Sequence, residues 1–272
     1  MEEKLVIIFF WLALMAYASA FIFYVYLFIQ KRQLTSTLAT LLMLLGFAFH
    51  TGSFLARWRS VGHIPVEGAF ETYFMIAWSI VLIYISLEWL TGLKVIGAWV
   101  LPFVGALMGI SWFRYESAER LSPVIQSSWV ILHVSVIFLS YAGFTMAAAT
   151  SILYLIQQRQ LKQHQMTLFF RRLPSLEVLD DLSNRAVLLS LPFMTMVIVT
   201  GILRSLKQFP NWYMDPIVIS TTVTWIVYSI YLFLRYLSSW QGRRVAYVAI
   251  IGFASLFAVE IIRSFTFFHR FG

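Results

Sequence analysis

The sequence predicts an all-α protein, a polytopic integral membrane bundle of about eight transmembrane helices. Composition is the first observation behind this prediction. Of 272 residues, 60% are hydrophobic and only 12% are charged, and the mean hydropathy is +0.80, which soluble domains do not reach. The second is that the apolar residues form continuous runs of bilayer length, without the alternation of barrel strands. The third is that the connections are short, which leaves room for about eight crossings and no separate globular domain.

The predicted spans follow one another along a single membrane domain covering residues 1–272. They cover residues 5–29, 34–56, 69–90, 93–113, 127–156, 185–206, 217–237 and 244–268. The first span lacks the basic region and cleavage site of a signal peptide, so we expect it to be retained. Pro102 and Pro192 fall inside the fourth and sixth spans, where they predict kinks. Pro174 followed by Ser175 predicts a short surface helix in the long connection 157–184.

The charge distribution favours a membrane surface over nucleic acid. The formal charge is +8, but the basic residues lie in short runs between apolar segments and not on one amphipathic face. In the eight-span map, eleven of the 20 lysines and arginines face one side and nine face the other. The positive-inside rule therefore predicts a bacterial plasma membrane protein with both termini outside.

Several classes of activity have no candidate residues. The chain contains no cysteine, which excludes disulfides, thiolate metal sites and covalent thiol chemistry. A P-loop, paired catalytic carboxylates, a nucleophile elbow and an HExxH motif are all absent from the sequence. We therefore expect a binding protein and not an enzyme.

The histidines are the candidate ligands. His50, His63, His133 and His269 all fall on the predicted outer side, whereas His164 falls on the other. In one interpretation each imidazole binds a carbonyl group or lies at the wet interface. In the other, imidazoles from two helices ligate the iron of a non-covalently bound haem. A small-solute transporter or channel without haem is a third class, although no internal repeat or pair of broken helices supports it.

Glu71 and two tryptophans have two interpretations each. Glu71 is either a solvated interface carboxylate or the group that orients His63 through its ring N–H. Trp129 and Trp212 either line a porphyrin pocket or belong to the aromatic belts of the membrane interfaces.

Several segments carry a family resemblance. RWRSVGHIPVEGAFETYFMIAW at 57–78 resembles the arginine, Gly-His-x-Pro and Phe-Glu segment of cytochrome c assembly proteins of the CcsA/ResC type. QSSWVILHVSVIFLSYAGF at 126–144 resembles that family's helix with a tryptophan and a ligand histidine. LDDLSNRAVLLSLPFMTMVIVTGI at 179–202 resembles the next helix, and DPIVISTTVTWIVYSIYLFLRY and WQGRRVAYVAIIGFAS continue in the same order.

The resemblance implies a haem site and departs from the family at one loop. His133 and His269 occupy positions similar to the external haem-ligand pair, which implies non-covalent bis-histidine ligation. The tryptophan-rich loop between them is reduced to Trp212, Tyr213, Met214, Asp215 and Pro216. RRLPSLEVLDDLS and NWYMD resemble the HemX subgroup, which implies control of tetrapyrrole synthesis through glutamyl-tRNA reductase. The assembly proteins imply haem delivery with a ResB-type partner.

Overall fold

The computed structural model describes residues 2–29, 33–66, 68–116, 128–164, 173–208 and 211–265. These residues form eight α-helices and no strand. The helices are α1 (Glu2–Ile29), α2 (Gln33–Val61), α3 (Ala69–Thr91), α4 (Gly97–Phe113), α5 (Ser128–Lys162), α6 (Leu176–Gln208), α7 (Pro216–Tyr236) and α8 (Arg243–Phe265). Short 3₁₀ turns at Lys94–Ile96 and Trp212–Met214 precede α4 and α7. The all-α prediction is confirmed.

Most helix ends lie within a few residues of the predicted spans, but the long connection is shorter than expected. α5 continues to Lys162 because QQRQLK contains good helix formers. The prediction of a separate surface helix after Ser175 is wrong. Ser175 does begin a helix, since its Oγ accepts from the Val178 N–H at 3.4 Å, but that helix is α6 itself. No glycine or proline lies between 176 and 191, so nothing in the chain ends the helix before the apolar span.

Six helices of the described part are long and apolar enough to cross a membrane: α1, α2, α3, α5, α6 and α7. α4 is a shorter apolar helix of 17 residues. The side chains follow the arrangement expected in lipid, as at Leu189, which is 69% exposed beside Ser190, which is 1% exposed. The chain is a multi-pass membrane protein, and the crossings of α4 and α8 stay predictions.

The helices form two compact units of four helices each. In the unit of α1–α4, Phe10 packs against Phe74 and Trp112, with ring centroids 5.9 and 5.1 Å apart. In the unit of α5–α8, the rings of Phe144 and Tyr228 stack at 3.7 Å. Whether the two units form the single membrane domain expected from the sequence stays a prediction.

Candidate functional site

His133 lies in the first turns of α5 and contacts α6. Its ring Nδ1 is 2.7 Å from the hydroxyl oxygen of Thr200. That hydroxyl is also 2.6 Å from the Met196 carbonyl oxygen, one turn earlier in α6. The imidazole is half-buried. His133 is therefore held by the neighbouring helix without being fully enclosed.

Trp129 shares this contact. It lies four residues before His133, so the two side chains lie on the same face of α5. The indole Nε1 donates to the Thr200 carbonyl oxygen at 3.2 Å, and the side chain is 38% exposed. The two oxygens of Thr200 thus contact two of the residues that the sequence singled out. Thr200 itself was not predicted as a site residue, although it stands as a polar residue inside the apolar run MVIVTGI.

Small residues bring α5 and α6 close enough for this contact. A Cβ at Gly143 would overlap the Ser190 hydroxyl oxygen, so any larger residue there must displace Ser190. About two turns away along each helix, the hydroxyls of Ser151 and Ser183 are 2.9 Å apart. Such small residues are typical of close helix pairs in membranes.

His50 is a buried structural histidine. It is 0% exposed, its Nε2 is 3.1 Å from the Phe74 carbonyl oxygen and its Nδ1 is 3.2 Å from the Tyr17 hydroxyl. Its ring also packs edge-on against Phe74, with centroids 4.1 Å apart. Both ring nitrogens have partners, which favours the interpretation that His50 binds protein groups over its use as a haem ligand.

Glu71 forms a buried ion pair with Arg57, an arrangement that neither sequence interpretation anticipated. Its Oε1 is 2.9 Å from both Nε and Nη2 of the guanidinium, and the two side chains are 3% and 2% exposed. The expectation of a solvated carboxylate is therefore wrong, because the charge of Arg57 stabilises the carboxylate away from water. The ring Nδ1 of His63 lies 3.2 Å from the Ile64 carbonyl oxygen.

Arg57 joins three segments of its unit. Its Nη2 donates to the Glu116 carbonyl oxygen at 2.9 Å, and the guanidinium lies over the rings of Phe70 and Tyr115. The Tyr115 hydroxyl donates to Glu3 at 3.2 Å. Burial raises the pKa of Tyr115 to about 12, against the opposing effect of Arg57, so the phenol keeps its proton at neutral pH. The ends of α2 and α4 and the start of α3 are thereby fixed around the Gly-His-Ile-Pro segment.

The reduced loop forms the entry to α7. Asp215 is the N-cap, with its Oδ1 accepting from the Ile217 N–H at 2.8 Å, and Pro216 takes the first helical position. Trp212 lies in the preceding 3₁₀ turn, half-buried and edge-on to Tyr213. Asp215 therefore has a structural function that explains its presence in this turn. His269 lies outside the described residues, so its pairing with His133 stays a prediction.

A second buried carboxylate, Glu88, was not anticipated. Its oxygens accept from the hydroxyls of Tyr24 at 2.5 Å, Thr40 at 2.5 Å and Tyr84 at 2.7 Å. The Lys94 ammonium is 3.9 Å away and donates to the Thr40 hydroxyl. This network joins four elements of the first unit.

The donor set near His133 suits haem better than a bare metal ion. Among the described residues, no group of three histidine, aspartate or glutamate side chains could hold a metal ion. A haem iron already has four porphyrin nitrogens and needs one or two further ligands, for which imidazole is a common choice. A partly exposed histidine beside an indole fits that requirement.

The fold and this site together define a multi-pass helical membrane protein with a candidate imidazole ligand held between two helices. The sequence also matches the family model described as cytochrome c assembly protein over residues 66–266. The chain belongs to the cytochrome c assembly protein family.

Curated relatives agree with this membership. The chain is 31% identical to the cytochrome c biogenesis protein CcsA of Guillardia theta, covering 72% of each chain. It is 28% identical to CcsA of Pyropia yezoensis, covering 79% of this chain and 80% of the relative. The protein of the same name from Synechococcus elongatus is 26% identical, with 73% and 75% covered. The matched family region includes Glu71, Trp129, His133, Trp212 and Asp215.

Proposed function

We propose that this protein binds and passes on haem at the outer face of a bacterial plasma membrane during the assembly of c-type cytochromes. Family membership supports the pathway, and the relatives are named for cytochrome c biogenesis. The observation that carries the proposal is His133, an imidazole oriented by Thr200 and only half-buried within a family-matched region. The function is binding and transfer, not turnover.

His133 and His269 are the residues that would hold the haem iron. His133 supplies a ring nitrogen from α5, and Trp129, one turn away, offers a flat aromatic surface beside it. Bound haem supplies the iron centre and the group that is passed on. His63 and Trp212 are the further candidates for contact with the porphyrin, whereas Glu71 acts through Arg57 on the His63 segment.

Absorbance spectroscopy of the detergent-solubilised protein tests the proposal. We expect a Soret band and a low-spin bis-histidine spectrum, either as purified or after haem addition. Alanine at His133 or His269 removes one strong-field ligand, so the spectrum becomes high-spin or the haem is lost.

His164→Ala is the control, because His164 follows α5 at its opposite end. It should change neither haem content nor spectrum. Parental haem content in both His133→Ala and His269→Ala contradicts the proposed pair. The complete absence of a Soret band after haem addition favours a small-solute transporter or channel.

A HemX-like regulatory function is the second candidate, favoured by the reduced loop at Trp212 to Pro216, which lacks a second tryptophan. In that case the basic connection after α5 binds glutamyl-tRNA reductase, while a ResB-type protein is the partner expected for haem delivery. Charge reversal at Arg171 and Arg172, which lie outside the described residues, should weaken association with the reductase or change its cellular level. An unchanged level at normal membrane expression favours haem delivery.

A further inference from the structure

We infer that Thr200 is a positioning residue that holds His133 in the tautomer with the proton on Nδ1 and the lone pair on Nε2. The inference rests on the proposed function only for its consequence, that Nε2 is the nitrogen through which His133 would hold an iron. The tautomer itself follows from the hydrogen bonds around one hydroxyl group.

The Thr200 hydroxyl has a single proton. Its oxygen is 2.6 Å from the Met196 carbonyl oxygen and 3.2 Å from the Val197 carbonyl oxygen. A carbonyl group cannot donate, and two oxygens at 2.6 Å repel each other unless a proton lies between them. The Thr200 proton is therefore directed to its own helix.

In the hydrogen bond between His133 and Thr200, the histidine must then be the donor. With its proton used, the Thr200 oxygen offers only lone pairs to the ring nitrogen 2.7 Å away. Nδ1–H of His133 is the donor, and a neutral imidazole with a proton on Nδ1 carries its lone pair on Nε2. The acceptor is an uncharged hydroxyl, so the ligand is a neutral imidazole and not an imidazolate.

Two further features of this turn of α6 lie beside the ring. The Thr200 carbonyl oxygen accepts from Trp129 Nε1, which holds the same turn of α6 against α5. The next residue is Gly201, where a Cβ would lie 3.4 Å from Cε1 of the imidazole. The turn of α6 at 200–201 thus provides an acceptor for the ring and space beside it. In metal sites, such a partner to the non-ligating nitrogen affects affinity by about 10–100-fold.

The tautomer is measured in haem-free protein labelled with ¹⁵N-histidine, because the two ring nitrogens have different chemical shifts when protonated. Loss of the signal in His133→Ala assigns the resonance. We expect the protonated nitrogen to be Nδ1 in the parental protein and in Thr200→Ser, and a mixed or reversed tautomer in Thr200→Val.

Haem titration of the same variants gives the second measurement. Thr200→Val is nearly isosteric and should lower haem affinity by about 10–100-fold, with Thr200→Ser restoring it. Thr150→Val is the matched control. The Thr150 hydroxyl makes the same pair of bonds within its own helix, to Met146 at 2.9 Å and Ala147 at 3.1 Å. Thr150 lies about 25 Å from His133 along α5. It should leave haem affinity unchanged.

The tautomer measurement and the haem titration distinguish the positioning of His133 by Thr200 from the proposed haem binding. A proton on Nε2 of His133 in the parental protein overturns the inference, whatever the protein binds. An unchanged tautomer and haem affinity in Thr200→Val also overturn it. If His133→Ala binds haem normally while the tautomer is as expected, the proposed function has lost its ligand and the positioning by Thr200 stands.

Discussion

Arg57 and Glu71 are both buried away from water, and each charge is stabilised mainly by the other. Each side chain therefore depends on its partner. Burying one charge alone is far more costly than burying both, so removal of one partner costs about 3–5 kcal/mol. Such a pair in the first unit explains why an arginine and a glutamate flank the Gly-His-Ile-Pro segment. The pair fixes the helix ends between which that segment lies.

Glu71→Ala should lower the free energy of unfolding by about 3–5 kcal/mol, because Arg57 is left charged and buried. Denaturant titration in detergent micelles measures the change. Asp181→Ala is the control, since it breaks an ion pair of 2.7 Å with Arg185 whose side chains are 48% and 71% exposed. That change should stay within about 0.5 kcal/mol. Similar losses in the two variants contradict a structural function of the buried pair.

Sequence reasoning found the right residue types at this scale but not their partners. Only the family resemblance favoured His133 over His50 and His63, because position in a span does not reveal which neighbour a side chain meets. His50 is opposite Tyr17 and Phe74, and His133 is opposite Thr200. These partners lie 24 to 67 residues away, beyond the reach of periodicity.

At the scale of elements, hydropathy alone predicted the helices, because a backbone in lipid must satisfy its hydrogen bonds within each segment. The pairing of the helices depends on small residues, which hydropathy does not identify. Gly143 against Ser190 fixes the register of α5 on α6. His133 and Thr200 lie ten residues from these two positions on their respective helices, in opposite directions along the chain. The same register therefore brings the imidazole to its acceptor.

Gly143→Val should separate α5 from α6, since the Ala186 carbonyl oxygen is only 3.5 Å from a Cβ at this position and Ser190 is closer still. We expect a loss of about 1–3 kcal/mol in stability and weaker haem binding through a displaced Thr200. Denaturant and haem titrations of one preparation measure both. Gly109→Val is the control, because no atom of the described residues lies within 4 Å of a Cβ there. Equal effects of the two variants contradict a close contact at Gly143.

For the whole molecule, the side-chain contacts of the described carboxylates in the first unit fall into two groups near opposite ends of its helices. One end has Glu3 bound to Tyr115, and the other has Tyr24 bound to Glu88. Glu3 and Tyr24 are about 21 residues apart on α1, a rise of about 31 Å, which matches the hydrocarbon core of a bilayer. The predicted map places the first group outside and the second in the cytoplasm, so each contact joins residues assigned to the same side.

This arrangement bears on whether the short helix α4 crosses the membrane. Its 17 residues rise about 25 Å, and the 3₁₀ turn before it adds about 6 Å. At its start, a Cβ on Gly97 would lie 3.0 Å from the Tyr24 ring, and beyond its end Tyr115 reaches Glu3. The segment 94–115 therefore runs alongside the full length of α1 between those residues, which favours a crossing despite the short helix.

Reporter fusions test this topology directly. Fusions after Gly92 and after Tyr115 should report opposite sides, because α4 separates them. Fusions after Gly272 and within 157–165 should also report opposite sides, with Gly272 outside, because an odd number of crossings lies between those positions. Same-side signals for the first pair mean that α4 does not cross, and same-side signals for the second pair contradict the eight-span map. The outer signal must also fall on the Tyr115 side, since the predicted map places both Tyr115 and the proposed ligand His133 outside.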